Sequence, residues 1–131
     1  MSFLLDTNVC IAYLAGRDAR LRDRLLETPS DQTRLCSVVK AELLFGARNS
    51  GRIEENLRRL QAFFAPFRSL PFDDEAATRY GLLRCQLQRE GKPIGANDMM
   101  IAAIALAEDA TLVTRDRDEF ARVAGLRMET W

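Results

Sequence analysis

The sequence contains no histidine. That closes the Ser-His-Asp triad, the Cys-His dyad and the histidine acid–base route to RNA cleavage. Zinc is left without its commonest nitrogen ligand. Lysine is scarce, Lys40 and Lys92 standing against 17 arginines. Arginine's planar fork suits phosphate, and a GC-rich genome produces the same bias. Net charge is absent as well: 19 basic side chains balance 19 acidic ones, so bulk charge announces no nucleic-acid partner. Cysteines number three, Cys10, Cys36 and Cys85, with no C-x-x-C spacing. An odd count in apolar contexts reads as small buried side chains in a reducing cytoplasm. Long hydrophobic runs are missing, which excludes a transmembrane helix of about 20 apolar residues. The opening "MSFLLDTNV" has no basic region and carries an acid at position 6, so it does not read as a secretory signal. For chemistry, carboxylates and metals remain.

What is present suits one domain spanning residues 1–131, with a 47% apolar content ordinary for a single core. Short apolar runs alternate with longer segments of helical period, the pattern of an α/β chain with a short, mostly parallel sheet. Strands are expected at 2–6, at "TRLCS" (33–37), at "RSLPF", at "ATLVT" and, as an edge, at "LRMETW". Helices are expected from 8 to 15, stopped near Gly16, and over "DARLRDRLLET", ended by Pro29. The next, "VVKAELLFGARN", is capped by Ser37, with Val38, Ala41, Leu44 and Phe45 on one face. "RIEENLRRLQAFFAPF" and "EAATRYGLLRCQLQREG" follow, the latter begun at Asp73 or Asp74 and ended by Gly91. "MMIAAIALAED" is apolar all round and so belongs inside. "RDRDEFARV" reads as a short helix or turn.

Four acidic positions share a context. Asp6 ends the first strand, Glu42 lies about a turn and a half into the helix after the second, Asp98 opens the apolar helix, and Asp116, with Asp118 near it, follows "ATLVT". Each has a plain structural role open to it: a helix cap for Asp6, a solvated helix position for Glu42, a helix-dipole partner for Asp98, a loop cap for Asp116 and Asp118. Their joint placement says more. In an open parallel sheet the carboxyl ends of the strands lie along one edge, where ligands bind. Two like charges about 4 Å apart repel by roughly 4 kcal/mol at an effective dielectric near 20. Converging carboxylates therefore either hold protons or share a divalent cation, and all-oxygen ligands favour Mg²⁺ or Mn²⁺.

The segments "LLDTNV", "SVVKAELLFGA", "PIGANDMMIAAIAL" and "TLVTRDRDEF" stand in the order and spacing of PIN-domain proteins. From Phe3 to Trp131 the chain resembles the VapC toxins of bacterial toxin–antitoxin pairs. The resemblance implies a three-layer α/β/α sandwich and an endoribonuclease dependent on Mg²⁺ or Mn²⁺. Its carboxylates fall on Asp6, Glu42, Asp98 and Asp116. Asp6 and Asp98 would hold the metal, Asp116 would join them or hold a second ion when RNA brings a phosphate, and Glu42 would orient or deprotonate the attacking water. The fourth position is Asn in much of this branch, so Asp116 makes the more acidic variant, with Asp118 as its near neighbour. Thr7 or Asn8, and Thr114, would support the site by hydrogen bonds. Such proteins cleave structured RNA, several of them transfer RNA in the anticodon region. They usually form homodimers, and a VapB-type antitoxin silences them by sending a C-terminal segment, commonly with an arginine, into the acidic cleft.

RNA beside an acidic cleft needs a cationic rim, for which Arg17, Arg20, Arg48, Arg52 and Lys92 are the candidates, with a solvated helix surface as the plain alternative. No aromatic platform for stacking bases is evident. The apolar side chains of "NLRRLQAFFAPF" belong either to the core or to an association surface. Three other functions compete. A phosphatase using a second Asp two residues after the first is opposed by Asn8. A receiver-like module would need a lysine where "TLVTRD" has arginine. A non-catalytic RNA- or protein-binding module on the same fold would bind without a metal requirement.

Overall fold

Phe3, Leu4 and Leu5 form β1 and all three are buried, an apolar run with no polar alternation because both faces of the strand are covered. The structure, a computed structural model, covers residues 1–131. β2 (Thr33–Cys36), β3 (Arg68–Leu70), β4 (Thr111–Val113) and β5 (Met128–Glu129) complete a five-stranded sheet in the order β3-β2-β1-β4-β5, with every neighbouring pair parallel. The helices are α1 (Thr7–Ala15), α2 (Ala19–Glu27), α3 (Ser37–Arg48), α4 (Ile53–Phe64), α5 (Asp74–Arg89), α6 (Ala96–Ala107) and the single turn α7 (Arg117–Phe120).

Strand order decides where the helices go. From β1 the chain steps outward to β2 and β3, then crosses back to β4 and β5 on the other side. Right-handed crossovers put α1 to α4 on one face and α5 to α7 on the other, giving three layers. The reversal of direction lies between β1 and β4, and the crevice beyond their carboxyl ends is the expected ligand site of such a sheet.

Local chemistry sets the boundaries. Asp6, Asp18 and Asp73 cap α1, α2 and α5, each accepting a backbone N–H three residues on. Gly16 ends α1 in the left-handed conformation, φ 71°, which a side chain would strain. The apolar helix α6 is buried over Ile101–Ala105, in keeping with its composition.

Four expectations need correction. Ser37 is the first residue of α3 and makes no cap; Cys36 stands at the cap position. The buried stripe of α3 is Val39, Leu43 and Ala47, while Phe45 is 70% exposed. The helix is apolar on more than one side, so periodicity allowed either stripe and packing chose. α6 begins at Ala96, not Met99, which brings Asp98 into its first turn. Cys85 is exposed, unlike Cys10 and Cys36. The aromatic end of α4 turns inward: Leu60, Phe63 and Phe64 are buried, and Phe63 stacks on Tyr13 of α1 at 5.5 Å.

Candidate active site

The register of β1 against β4 builds the centre of the site. Leu5 pairs with Val113, and the Asp6 N–H donates to the Val113 carbonyl at 3.1 Å. The next residue on each strand, Asp6 and Thr114, therefore stand side by side. The Thr114 hydroxyl lies beside the Asp6 carboxylate, where it favours the charged form, and accepts the Asp116 N–H at 3.0 Å. Asp6 Oδ1 also accepts the Val9 N–H at 2.8 Å. Asp6 is both the cap of α1 and a buried carboxylate at the strand end.

The register of β2 brings in the third element. Cys36 ends β2 and α3 starts at the next residue, which puts Glu42 beside the start of α1. There the Thr7 hydroxyl donates to Glu42 Oε1 at 2.8 Å. Asp98 arrives from the other layer in the first turn of α6. Thr7 and Thr114 thus each make a supporting hydrogen bond, while Asn8 is exposed.

The structure brings Asp6, Glu42, Asp98 and Asp116 to this one crevice. Asp98, Asp116 and Glu119 each offer a carboxylate oxygen, and these oxygens lie within 4.8 Å of one another. Glu119 was not among the expected residues. It lies three positions after Asp116, where a helical turn returns a side chain to the same side. That spacing is visible in "RDRDEF", but only if the segment is taken as a helix. Asp118, between them, is exposed and outside the cluster.

Crowding shows in the acidities. Burial raises the Asp6 pKa, the bonds from Thr114 and Val9 oppose it, and the charges of Asp116 and Glu42 push it up further. Asp98 is raised to about 7, first by burial, then by the charge and hydrogen bond of Glu119, then by Glu42 and Asp6. A carboxyl that keeps its proton to near neutrality among other acids marks a place where a cation would take the proton's role. The donors are all oxygens, which suits a hard divalent ion. Below Asp6, burial pushes the Cys10 and Cys36 thiols up, so neither is a nucleophile at neutral pH.

A cavity of about 210 Å³ opens beside Glu42, lined by Ile11, Leu14, Leu43, Leu60, Asn56 and Arg59 among others. Ile11 is 51% exposed there. The candidate rim residues Arg17, Arg20, Arg48, Arg52 and Lys92 are all exposed, and Arg52 pairs with Glu55 at 3.4 Å.

The model of the PIN domain family matches residues 3–126. The chain belongs to the PIN domain family. This PIN domain is 38% identical over 133 residues to the tRNA(fMet)-specific endonuclease VapC of Shigella flexneri, covering 100% of this chain and 98% of that protein. It is 36% identical over 132 residues to ribonuclease VapC2 of Rickettsia felis, with the same coverage. Among solved structures, DNA-bound VapBC from Salmonella typhimurium superposes with a TM-score of 0.95 at 34% identity, covering 100% of this chain and 98% of that one. The PIN domain's membership thus extends to its VapC ribonucleases, and its parallel sheet flanked by helices is the fold they share. No helix of this PIN domain is long and apolar enough to cross a membrane.

Proposed function

We propose that this PIN domain, residues 1–131 acting as one unit, is the toxin of a toxin–antitoxin pair: an endoribonuclease that hydrolyses RNA phosphodiester bonds and is silenced by a VapB-type antitoxin. The observation that carries the reading is the convergence of Asp6, Glu42, Asp98 and Asp116 beyond the carboxyl ends of β1 and β4. Kinship with VapC ribonucleases agrees with it.

Asp6, Asp98 and Asp116 would hold Mg²⁺ or Mn²⁺. Such an ion would supply a bound water of lowered pKa and would screen charge growing on the phosphate. Glu42, steadied by the Thr7 hydroxyl, orients the attacking water and accepts its proton. Asp6 is held by Val9 and Thr114 at a fixed strand end, so the geometry is set before RNA arrives. With no histidine to serve the RNA's own 2′-hydroxyl, the products are a 5′-phosphate and a 3′-hydroxyl. The substrate is transfer RNA, as the name of the Shigella relative suggests. A segment of the antitoxin lies along the apolar cavity beside Glu42 and sends a cationic side chain to the carboxylates. The toxin acts as a homodimer.

Inducible expression of the wild type beside Asp6→Asn, with sequencing of RNA ends, tests this. Growth arrest and discrete cuts bearing 5′-phosphates are expected from the wild type alone. Cuts ending in 2′,3′-cyclic phosphate, or equal cutting by both proteins, would refute the scheme.

A further inference from the structure

The turn before α6 is joined to α7 and the residues just after it at two points. Gly95 donates its N–H to Glu119 Oε1 at 3.1 Å, and Arg122 Nη1 donates to the Pro93 carbonyl at 2.9 Å. Gly95 stands at the cap position of α6, and no side chain caps this helix. In a capping box, the carboxylate three residues into the helix would take the cap residue's N–H. That residue is Asp98, which is turned instead to the acidic cluster. Glu119, 24 residues away in sequence, fills the place Asp98 has left. A Cβ at position 95 would lie 3.7 Å from Asp98 Oδ2 and 4.0 Å from Glu119 Oε1, ordinary contact distances. Backbone and carboxylates meet at close quarters.

A carboxylate has two oxygens and can serve two partners at once. We propose that Glu119 couples cation occupancy to the Lys92–Gly95 turn, one oxygen holding the Gly95 N–H while the other joins Asp98 and Asp116 on the ion. Loading the site then stiffens the turn, which carries the exposed Lys92. The inference rests on the metal-dependent nuclease reading and adds a residue and a moving part to it.

Glu119→Gln separates the two tasks, because the amide keeps an acceptor for Gly95 but loses the charge. Calorimetric titration with Mn²⁺ and hydrogen–deuterium exchange of the 92–98 segment with and without Mg²⁺ read them independently of cleavage. In the wild type, saturating Mg²⁺ is expected to slow exchange in this segment severalfold. In Glu119→Gln, Mn²⁺ affinity falls at least about tenfold, and the segment's exchange no longer responds to the cation. Glu119→Ala, lacking the acceptor too, exchanges fast under both conditions. Unchanged exchange in a wild type that does bind Mn²⁺ would overturn the coupling. So would a Glu119→Gln variant with wild-type affinity and protection. A wild type that binds no divalent ion would overturn the metal reading itself.

Discussion

At Asp6 the carboxylate that accepts the Val9 N–H also lies among the charges of Asp116 and Glu42, so capping and site chemistry can be separated by substitution. Asp6→Asn retains a cap acceptor and removes a buried charge; cleavage should vanish while the melting temperature without metal holds or rises. Asp6→Ala also loses the cap, at about 1 kcal/mol, and urea denaturation should tell the two apart. Asp98 makes a pH prediction. Unfolded, it ionises near its ordinary 3.8; folded, only near 7. Between those values the folded state holds the extra proton, so the cation-free protein loses stability as pH rises through that window and levels off above it. Thermal melts in a chelator should show this decline, Asp98→Asn should reduce it, and Mg²⁺ should offset it at the alkaline end. Thr114 is fully buried between Asp6 and the Asp116 N–H. Thr114→Val leaves both without their partner and should cost about 1–3 kcal/mol by denaturant titration.

Within elements, several caps and breakers were legible from local sequence because their physics is local, although the expected Ser37 cap was not borne out. Asp73 and Gly16 act where the expectations placed them. The face of α3 was not legible. Val38, Ala41, Leu44 and Phe45 share helical spacing as well as Val39, Leu43 and Ala47 do, and only contact with the sheet and α4 distinguishes them. Leu43→Ala should therefore cost about 2–5 kcal/mol, whereas Phe45→Ala should stay within about 0.5 kcal/mol. Equal losses on unfolding would contradict the observed packing. Glu119 was missed for a related reason: α7 is one turn long, too short for periodicity to announce it, and the Gly95 N–H that positions its carboxylate comes from a distant segment.

For the whole molecule, the proposed function asks a neutral chain to bind RNA next to five acids, which requires its charges to be separated in space. Arg17, Arg20, Arg48, Arg52 and Lys92, all exposed, are the candidates for the positive side. RNA affinity should fall steeply as salt rises, measured by filter binding with the cleavage-dead Asp6→Asn protein; a flat response would argue against phosphate contacts by this rim. Chelation should abolish cutting, and Mg²⁺ or Mn²⁺ should restore it.

By itself the sequence determined the kinds of chemistry open to this protein. Without histidine, and with acids placed after apolar strands, it pointed to carboxylate-based chemistry at the carboxyl edge of a parallel sheet. Those conclusions follow from residue type and from interactions a few positions apart. Tertiary structure decided which carboxylates share a space. The order β3-β2-β1-β4-β5 sets Asp6 against Thr114 and opens the crevice between β1 and β4, while the two layers bring Glu42, Asp98 and Glu119 to it. The raised Asp98 pKa and the Glu119–Gly95 bond arise from this folding, because charge repulsion and burial depend on distance in space, which spacing along the chain does not specify.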